Sequence, residues 1–279
     1  NASSLGNKRN IFDNKKKIQD YIKFLLDCDI RTITVTLPII AEFIRELSDD
    51  INIEISTIAN IDSVTQVKLW KEYYNINKVC GNLSKNRDIA FLEEMANYCN
   101  NNEITLSLLA NEFCVNGTYD NSICSYTNCI YRTHCYQLHS LGYEENEKYF
   151  SDYPMQRCTL SRNNIKAWLK SNFIRPEDMS LYNQIGINHF KITGRTGSTA
   201  YLKQIVDAYM RQQYNGNLLT LWKHLETINS EADNSFEPSF YIPNRSLDGF
   251  LSFWFRNKEH RCSNKICGET CTYCDEFYK

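Results

Sequence analysis

Ile104-Thr-Leu-Ser-Leu-Leu-Ala-Asn-Glu-Phe-Cys114 is the stretch whose reading decides the fold. Its first seven residues form a short apolar run of the kind that a buried strand makes. The run then breaks at once into Asn111-Glu112-Phe113-Cys114, a polar turn ending on a thiol. Working upstream, the same strand-like signal recurs in Arg31-Thr-Ile-Thr-Val-Thr36, Ile53-Glu-Ile-Ser-Thr57 and Ile76-Asn-Lys-Val-Cys80. Helical periodicity fills the gaps. Residues 12–28 place Ile18, Tyr21, Ile22, Leu25 and Leu26 on one face. Pro38 suits the first position of a helix to about Leu47, and Asp62 or Ser63 can cap one running to Tyr74. A further helix is expected over Arg87–Asn100. Downstream, a helix at Pro176–Ile185, a strand at His189–Thr193 and a helix at Ser198–Gln213 continue the pattern.

Alternating strands and helices predict a parallel sheet with covering helices. Units of about 25 residues suit an α/β (β/α) TIM-like barrel, and the short N-terminal part leaves that barrel incomplete or open. No Gly-rich phosphate loop follows a strand, and the chain has only 10 Gly. The expected division is a barrel over residues 1–247, with an irregular Cys-rich insertion at about 111–165. A Cys-rich tail at 248–279 follows a polar, linker-like stretch at 228–247. Barrel chemistry sits at the C-terminal ends of strands. Cys114 follows the fourth strand, Gly194-Arg195 the strand at 189–193, and Asn60 the second, so these residues are expected on one rim.

Composition narrows the function. The 279 residues are 42% apolar, enough for a sizeable core, and carry a net charge of −2. No global basic field advertises nucleic-acid binding, although a local basic groove stays open. No apolar run approaches a membrane span, and no secretory leader is visible. Twelve cysteines in clusters, rather than spread, favour metal over disulfides, and a cytoplasmic setting is expected. Cys28, Cys80 and Cys99 lie on helix or strand positions and are expected as small buried apolar groups. Two sets remain. One is Cys114, Cys124, Cys129, Cys135 and Cys158. The other is Cys262-Ser-Asn-Lys-Ile-Cys267-Gly-Glu-Thr-Cys271-Thr-Tyr-Cys274. Four soft ligands this close suit zinc or an iron–sulfur cluster, and spacing alone does not choose between them.

Several segments together resemble the U32 peptidase family, in a branch with Asn-Glu-x-Cys after a barrel strand. They are Ile55-Ser-Thr-Ile-Ala-Asn60, Asn111-Glu-Phe-Cys114, Asn128-Cys-Ile-Tyr-Arg132 and Tyr153-Pro-Met-Gln-Arg-Cys158. Leu169-Lys-Ser-Asn-Phe-Ile-Arg-Pro-Glu-Asp178, Gly186-Ile-Asn-His-Phe-Lys-Ile-Thr-Gly-Arg195 and Tyr214-Asn-Gly-Asn-Leu218 complete the series. The resemblance covers roughly residues 30–225 and implies a (β/α) barrel holding an oxygen-sensitive [4Fe–4S] cluster. It implies oxygen-independent hydroxylation or a related redox modification of an RNA, a peptide or a small molecule. A protein partner or hetero-oligomer is compatible with it. Carried onto this chain, it makes Cys114, Cys129 and Cys158 cluster ligands. The fourth ligand departs from the family pattern, because fourteen residues separate Cys114 from Cys129. Cys124 or Cys135 can supply it, Cys135 being preferred, with a tail cysteine as the next choice. The tail set Cys262, Cys267, Cys271 and Cys274 then makes a second site, for a second cluster or for Zn.

Lys191 and Arg195 stand at a strand end as candidate catalytic groups that hold an anionic part of the substrate, Arg195 in bidentate fashion. Their bland alternative is an ion pair with Glu112 or Asp178. Asn60, Glu112 and Arg132 are the candidate substrate contacts. Arg175-Pro-Glu-Asp178 reads as a helix start rather than as catalytic. No Ser/His/Asp order and no His-Glu-x-x-His motif supports proteolysis independently. A zinc-stapled module that binds RNA or protein is the competing reading, and a peptidase the third.

Overall fold

The computed structural model describes residues 8–112, 165–194, 198–225, 241–265 and 268–277. Two helices open the chain, α1 (Lys8–Asp13) and α2 (Lys15–Asp27), where one helix over 12–28 was expected. They part at Asn14, whose backbone leaves the helical region (φ −104°, ψ 4°). The chain then alternates as the sequence predicts: β1 (Thr32–Val35), α3 (Pro38–Arg45), β2 (Asn52–Ile55), α4 (Val64–Tyr74), β3 (Lys78–Cys80), α5 (Ile89–Asn101) and β4 (Thr105–Leu109). After the Cys-rich stretch come α6 (Ile165–Lys170), α7 (Met179–Gln184), β5 (His189–Lys191) and α8 (Thr199–Met210). Two short helices, α9 (Ser252–Arg256) and α10 (Tyr273–Phe277), close it.

Local chemistry fixes the helix ends. Ser63 accepts a hydrogen bond from the Gln66 N–H, and the Gln66 side chain reaches back to the Ser63 N–H, a reciprocal capping box for α4. Asn75 ends that helix in the left-handed region. Pro38 starts α3, Asp88 caps α5, and Ser198 caps α8. Arg45, at the end of α3, donates to the carbonyls of Ile51, Tyr74 and Asn75. One guanidinium thereby satisfies the orphan carbonyls at the end of α4 and at the entry to β2.

The five strands lie in the order β1-β2-β3-β4-β5, all parallel. Consecutive order with a helix between neighbours is the winding of a barrel, but among the described residues this five-stranded sheet does not close. Its two faces differ. Val35, Ile53, Ile55, Val79, Leu106 and Leu108 point into one core with Phe43, Val67, Trp70, Leu92 and Met95 from the helices. The other face carries Thr34, Glu54, Lys78, Ser107 and Lys191, in the period-2 alternation of a strand. Glu54 and Lys78 are direct cross-strand partners and form an ion pair at 3.4 Å. Toward the C-terminal end this polar face is buried, around Ser56, Cys80, Ser107 and Leu109. No helix among the described residues is long and apolar enough to cross a membrane.

Two readings change. The expected linker ends in packed structure: Ile242, Asn244 and Leu247 are buried, and Asn217 bridges Pro243 antiparallel. The chain there is gripped by Glu177, which accepts from the Tyr214 N–H and from Asn244 Nδ2. Cys28 is exposed rather than buried, because it follows the last turn of α2 at the surface. Cys80 and Cys99 are buried as expected, and burial pushes the Cys99 thiol up to about 12.

Candidate active-site rim and cysteine tail

The C-terminal ends of the strands carry a row of asparagines. After β2, Ser56 caps a 3₁₀ turn at Thr57–Ala59, which ends on Asn60 in the left-handed region (φ 56°). Asn tolerates that backbone better than most residues. Thr57 Oγ1 donates to the Gly81 carbonyl, tying the β2 loop to the β3 loop. A side chain at Gly81 would bring its Cβ to 2.9 Å from Leu108 Cδ2, so any larger residue there would have to push the Leu108 side chain aside. After β3, Asn82 accepts from both the N–H and the hydroxyl of Ser84. Asn86 donates to the Leu109 and Asn172 carbonyls, and the Tyr182 hydroxyl donates to the Asn86 carbonyl.

Asn111 is the clamp at the end of β4. Its Nδ2 donates to the carbonyls of Thr193 (3.0 Å) and Leu221 (3.4 Å), and its Oδ1 accepts from the Thr193 N–H (2.7 Å) and hydroxyl (3.2 Å). The residue is fully buried. It joins the ends of β4 and β5 where the chain leaves toward Glu112, which is half-buried. Lys191 is exposed, in register with Leu109. It forms no ion pair among the described residues. Asp178, one proposed partner for it, is instead engaged by Arg175 through Nε at 2.7 Å and Nη2 at 2.9 Å. Burial pushes the Asp178 carboxyl up against the pull of that guanidinium. The Arg175-Pro-Glu-Asp178 stretch is therefore an anchor: Arg175 also donates to the Asn244 carbonyl. The Cys80 thiol faces the same rim. Its burial raises its pKa, while Ser107, the Lys191 charge and Thr57 oppose that.

Asn60 follows β2, Glu112 follows β4 and Lys191 ends β5, three strands of one sheet; of the expected rim, Asn60 and Gly194 are described and Cys114 and Arg195 are not. Arg195, Arg132, Cys114, Cys124, Cys129, Cys135, Cys158 and Cys267 lie outside the described residues. Sequence reasoning missed Asn82, Asn86 and Asn111 as rim-builders. The available signal was positional, because each follows a strand end within a few residues.

The tail is built on aromatics. Phe253 stacks on Tyr273 with centroids 4.0 Å apart, Phe250 meets Trp254, Tyr273 and Phe277, and the Tyr273 hydroxyl donates to the Phe250 carbonyl. Phe250, Leu251 and Trp254 belong to the same core as the sheet. Within this shell Trp254 Nε1–H donates to Cys262 Sγ at 3.2 Å, and Cys271 Sγ lies 3.5 Å from His260 Nε2. Burial pushes the Cys262 thiol up, and the nearby Arg87 charge and the Trp254 N–H pull it down. Gly268, with φ 87°, turns the chain so that its N–H donates to the Cys271 carbonyl. Cys274 is half-buried on α10. No group of three His, Cys, Asp or Glu side chains among the described residues stands in metal-binding geometry. The donor types are soft thiols with one imidazole, which suit zinc or iron–sulfur chemistry and not a hard cation.

Comparison with known proteins adds the following. The sequence profile of peptidase family U32 matches residues 10–241, and so stops short of the tail. An uncharacterised protease of Methanocaldococcus jannaschii is 28% identical over 233 residues, which cover 82% of this chain and 60% of that relative. The match therefore takes in less than two thirds of the relative's length. No solved structure matches the chain.

Proposed function

Because the chain belongs to peptidase family U32, we propose that it is an iron–sulfur enzyme working at the C-terminal rim of its sheet. Its reaction is an oxygen-independent hydroxylation or related redox modification, on an RNA, peptide or small molecule with an anionic group. The observation that carries this reading is the Asn111 clamp. It fixes the point where the chain passes from β4 into its Cys-rich stretch, beside the end of β5 and Lys191. Three residues of covalent reach keep Cys114 within about 11 Å of Asn111. The rim thus supplies an exposed cation at Lys191 and amides that fix the strand ends around it, with a thiol three residues beyond the clamp in the sequence.

In this reading Cys114, Cys129, Cys135 and Cys158 hold a [4Fe–4S] cluster, which supplies electron transfer when bound. Lys191 and Arg195 hold the anionic group of the substrate, and Asn60, Glu112 and Arg132 orient it. The consecutive parallel winding supports an incomplete barrel as the scaffold. The tail thiols form a second site, for a second cluster or for zinc. The test is anaerobic purification, with iron and acid-labile sulfide analysis and EPR of the wild type, Cys114→Ala and Cys271→Ala. Wild-type protein is expected to be brown and to carry iron and sulfide in equal amounts, with Cys114→Ala losing the rim signal. A colourless wild type without labile sulfide would sink the reading.

The protease name of the archaeal relative favours a second reading, peptide hydrolysis. Cleavage of a peptide library that survives complete removal of iron would support it over the first.

A further inference from the structure

Arg87 is the most unusual charge in the described structure. It is 2% exposed and ranks among the largest fully buried side chains. Its Nη1 donates to the Leu169 carbonyl, yet Nε and Nη2 have no hydrogen-bond partner among the described residues. Its immediate neighbour Asp88 does not take it. Asp88 Oδ1 accepts from the Phe91 N–H and faces Arg261, and Oδ2 pairs with Lys85. The guanidinium sits instead among three rings, 4.7 Å from Trp254, 5.1 Å from Phe250 and 5.2 Å from Phe173. Aromatic faces attract a cation but do not neutralise it, and a buried charge is ordinarily paired.

The missing anion has a natural source. Trp254, the ring closest to Arg87, donates its Nε1–H to Cys262 Sγ. An indole N–H aimed at sulfur is the kind of outer hydrogen bond that supports a metal-bound thiolate. Cys271 and His260 follow within the same shell. A divalent metal or a [4Fe–4S] core on several thiolates is a net anion of low charge density. Such a centre would offset the Arg87 charge without a carboxylate.

We propose that Arg87 is the buried counter-ion of a thiolate-bound metal centre in the tail. Arg87 and Trp254 act there as positioning residues, Arg87 by charge and Trp254 by its N–H on Cys262. The proposal rests on the reading of the tail as a metal site and says what holds that site in the fold. It also accounts for the placement of Cys262, half-buried under Trp254 rather than exposed. Arg87, before α5, thereby couples occupancy of the tail to the helix layer of the sheet.

The test measures zinc, iron and acid-labile sulfide in anaerobically purified wild type, Arg87→Met, Arg87→Lys and Cys271→Ser. Metal-release half-life under 4-(2-pyridylazo)resorcinol is measured for each, with circular dichroism as the check on folding. Zinc without sulfide identifies a zinc site, and iron with sulfide a cluster. Arg87→Met is expected to release tail metal about 10- to 100-fold faster, the range for loss of an outer-sphere partner. Arg87→Lys, which keeps the charge, is expected to fall between it and wild type. If Arg87→Met does not fold, Arg87→Lys against wild type carries the test. Equal release from all folded Arg87 variants overturns the role of Arg87 while leaving the tail site standing. Equal metal content in wild type and Cys271→Ser removes the tail site itself, and the proposal with it.

Discussion

Asn111 shows how much one side chain can hold. It is fully buried, and its amide makes four hydrogen bonds across a sequence separation of 82 residues to Thr193 and of 110 to Leu221. Asn111→Ala would remove the partner of the half-buried Thr193 N–H and of two carbonyls. The expected cost is about 2–3 kcal/mol, from buried polar groups left unpaired. Urea denaturation is the check, and a loss under 0.5 kcal/mol (about the size of a neutral surface change) would contradict the clamp. The Asn-Glu-x-Cys segment was legible in the sequence as the entry to a site, but the work of its Asn was not. A buried amide and a solvent-facing one look identical in a string of letters. The same holds for Arg175 and Asp178. Their position at a helix start was legible, whereas the grip of Arg175 on the Asn244 carbonyl depends on a residue 69 positions away.

Elements were read more securely than contacts, because strands and helices depend on near neighbours. β1, β3 and β4 fall within the β-branched or apolar runs quoted for them, and β2 starts one residue before its run, at Asn52. The α4 start was left between Asp62 and Ser63, and geometry selects Ser63, since only its side chain accepts from the Gln66 N–H. Ser63→Ala is expected to destabilise the protein by about 1 kcal/mol. Thermal melting would show this as a drop of a few degrees, and Ser63→Asp should keep most of the stability. An unchanged melt for Ser63→Ala would mean that α4 is held by packing of Val67 and Trp70 alone. The segment 242–247 is read as linker because its apolar residues, Ile242 and Leu247, are separated by the turn-like run Pro243-Asn-Arg-Ser246. Periodicity cannot detect a segment that packs by single side chains and backbone bridges.

At the scale of the molecule, the tail and the sheet share one core. Phe250, Leu251 and Trp254 are each at most 1% exposed. Burial of three such side chains is worth about 5–9 kcal/mol in all, at 1.5–3 kcal/mol each. That compares with a net stability of about 5–15 kcal/mol for a typical fold. A chain ending at Leu247 is therefore expected to lose its cooperative thermal transition and its near-ultraviolet circular dichroism. A truncated protein that melts sharply near the full-length temperature would show that the tail contributes little. The barrel-like winding was legible in the sequence because each βα unit repeats locally. That the sheet stays open among the described residues was legible only from the short chain before Arg31, since pairing between distant edges is encoded in no local pattern.

The order of the strands also sets an order of events. Neighbours from β1 to β4 are joined by tertiary contacts spanning 24 residues between Ile53 and Asn77 and 28 between Val79 and Ser107. β5 reaches β4 only after an excursion of 82 residues, as the Asn111–Thr193 contact spans. Closing the longer loop costs about 1 kcal/mol more in chain entropy. Such distant pairings are made late, after local ones have formed. The first four strands can thus assemble while the chain is still being synthesised, and the rim is completed only when β5 arrives. Until then Asn111 has no Thr193 to hold. The polar rim gains its second wall, and Lys191 its place beside β4, only with that last strand.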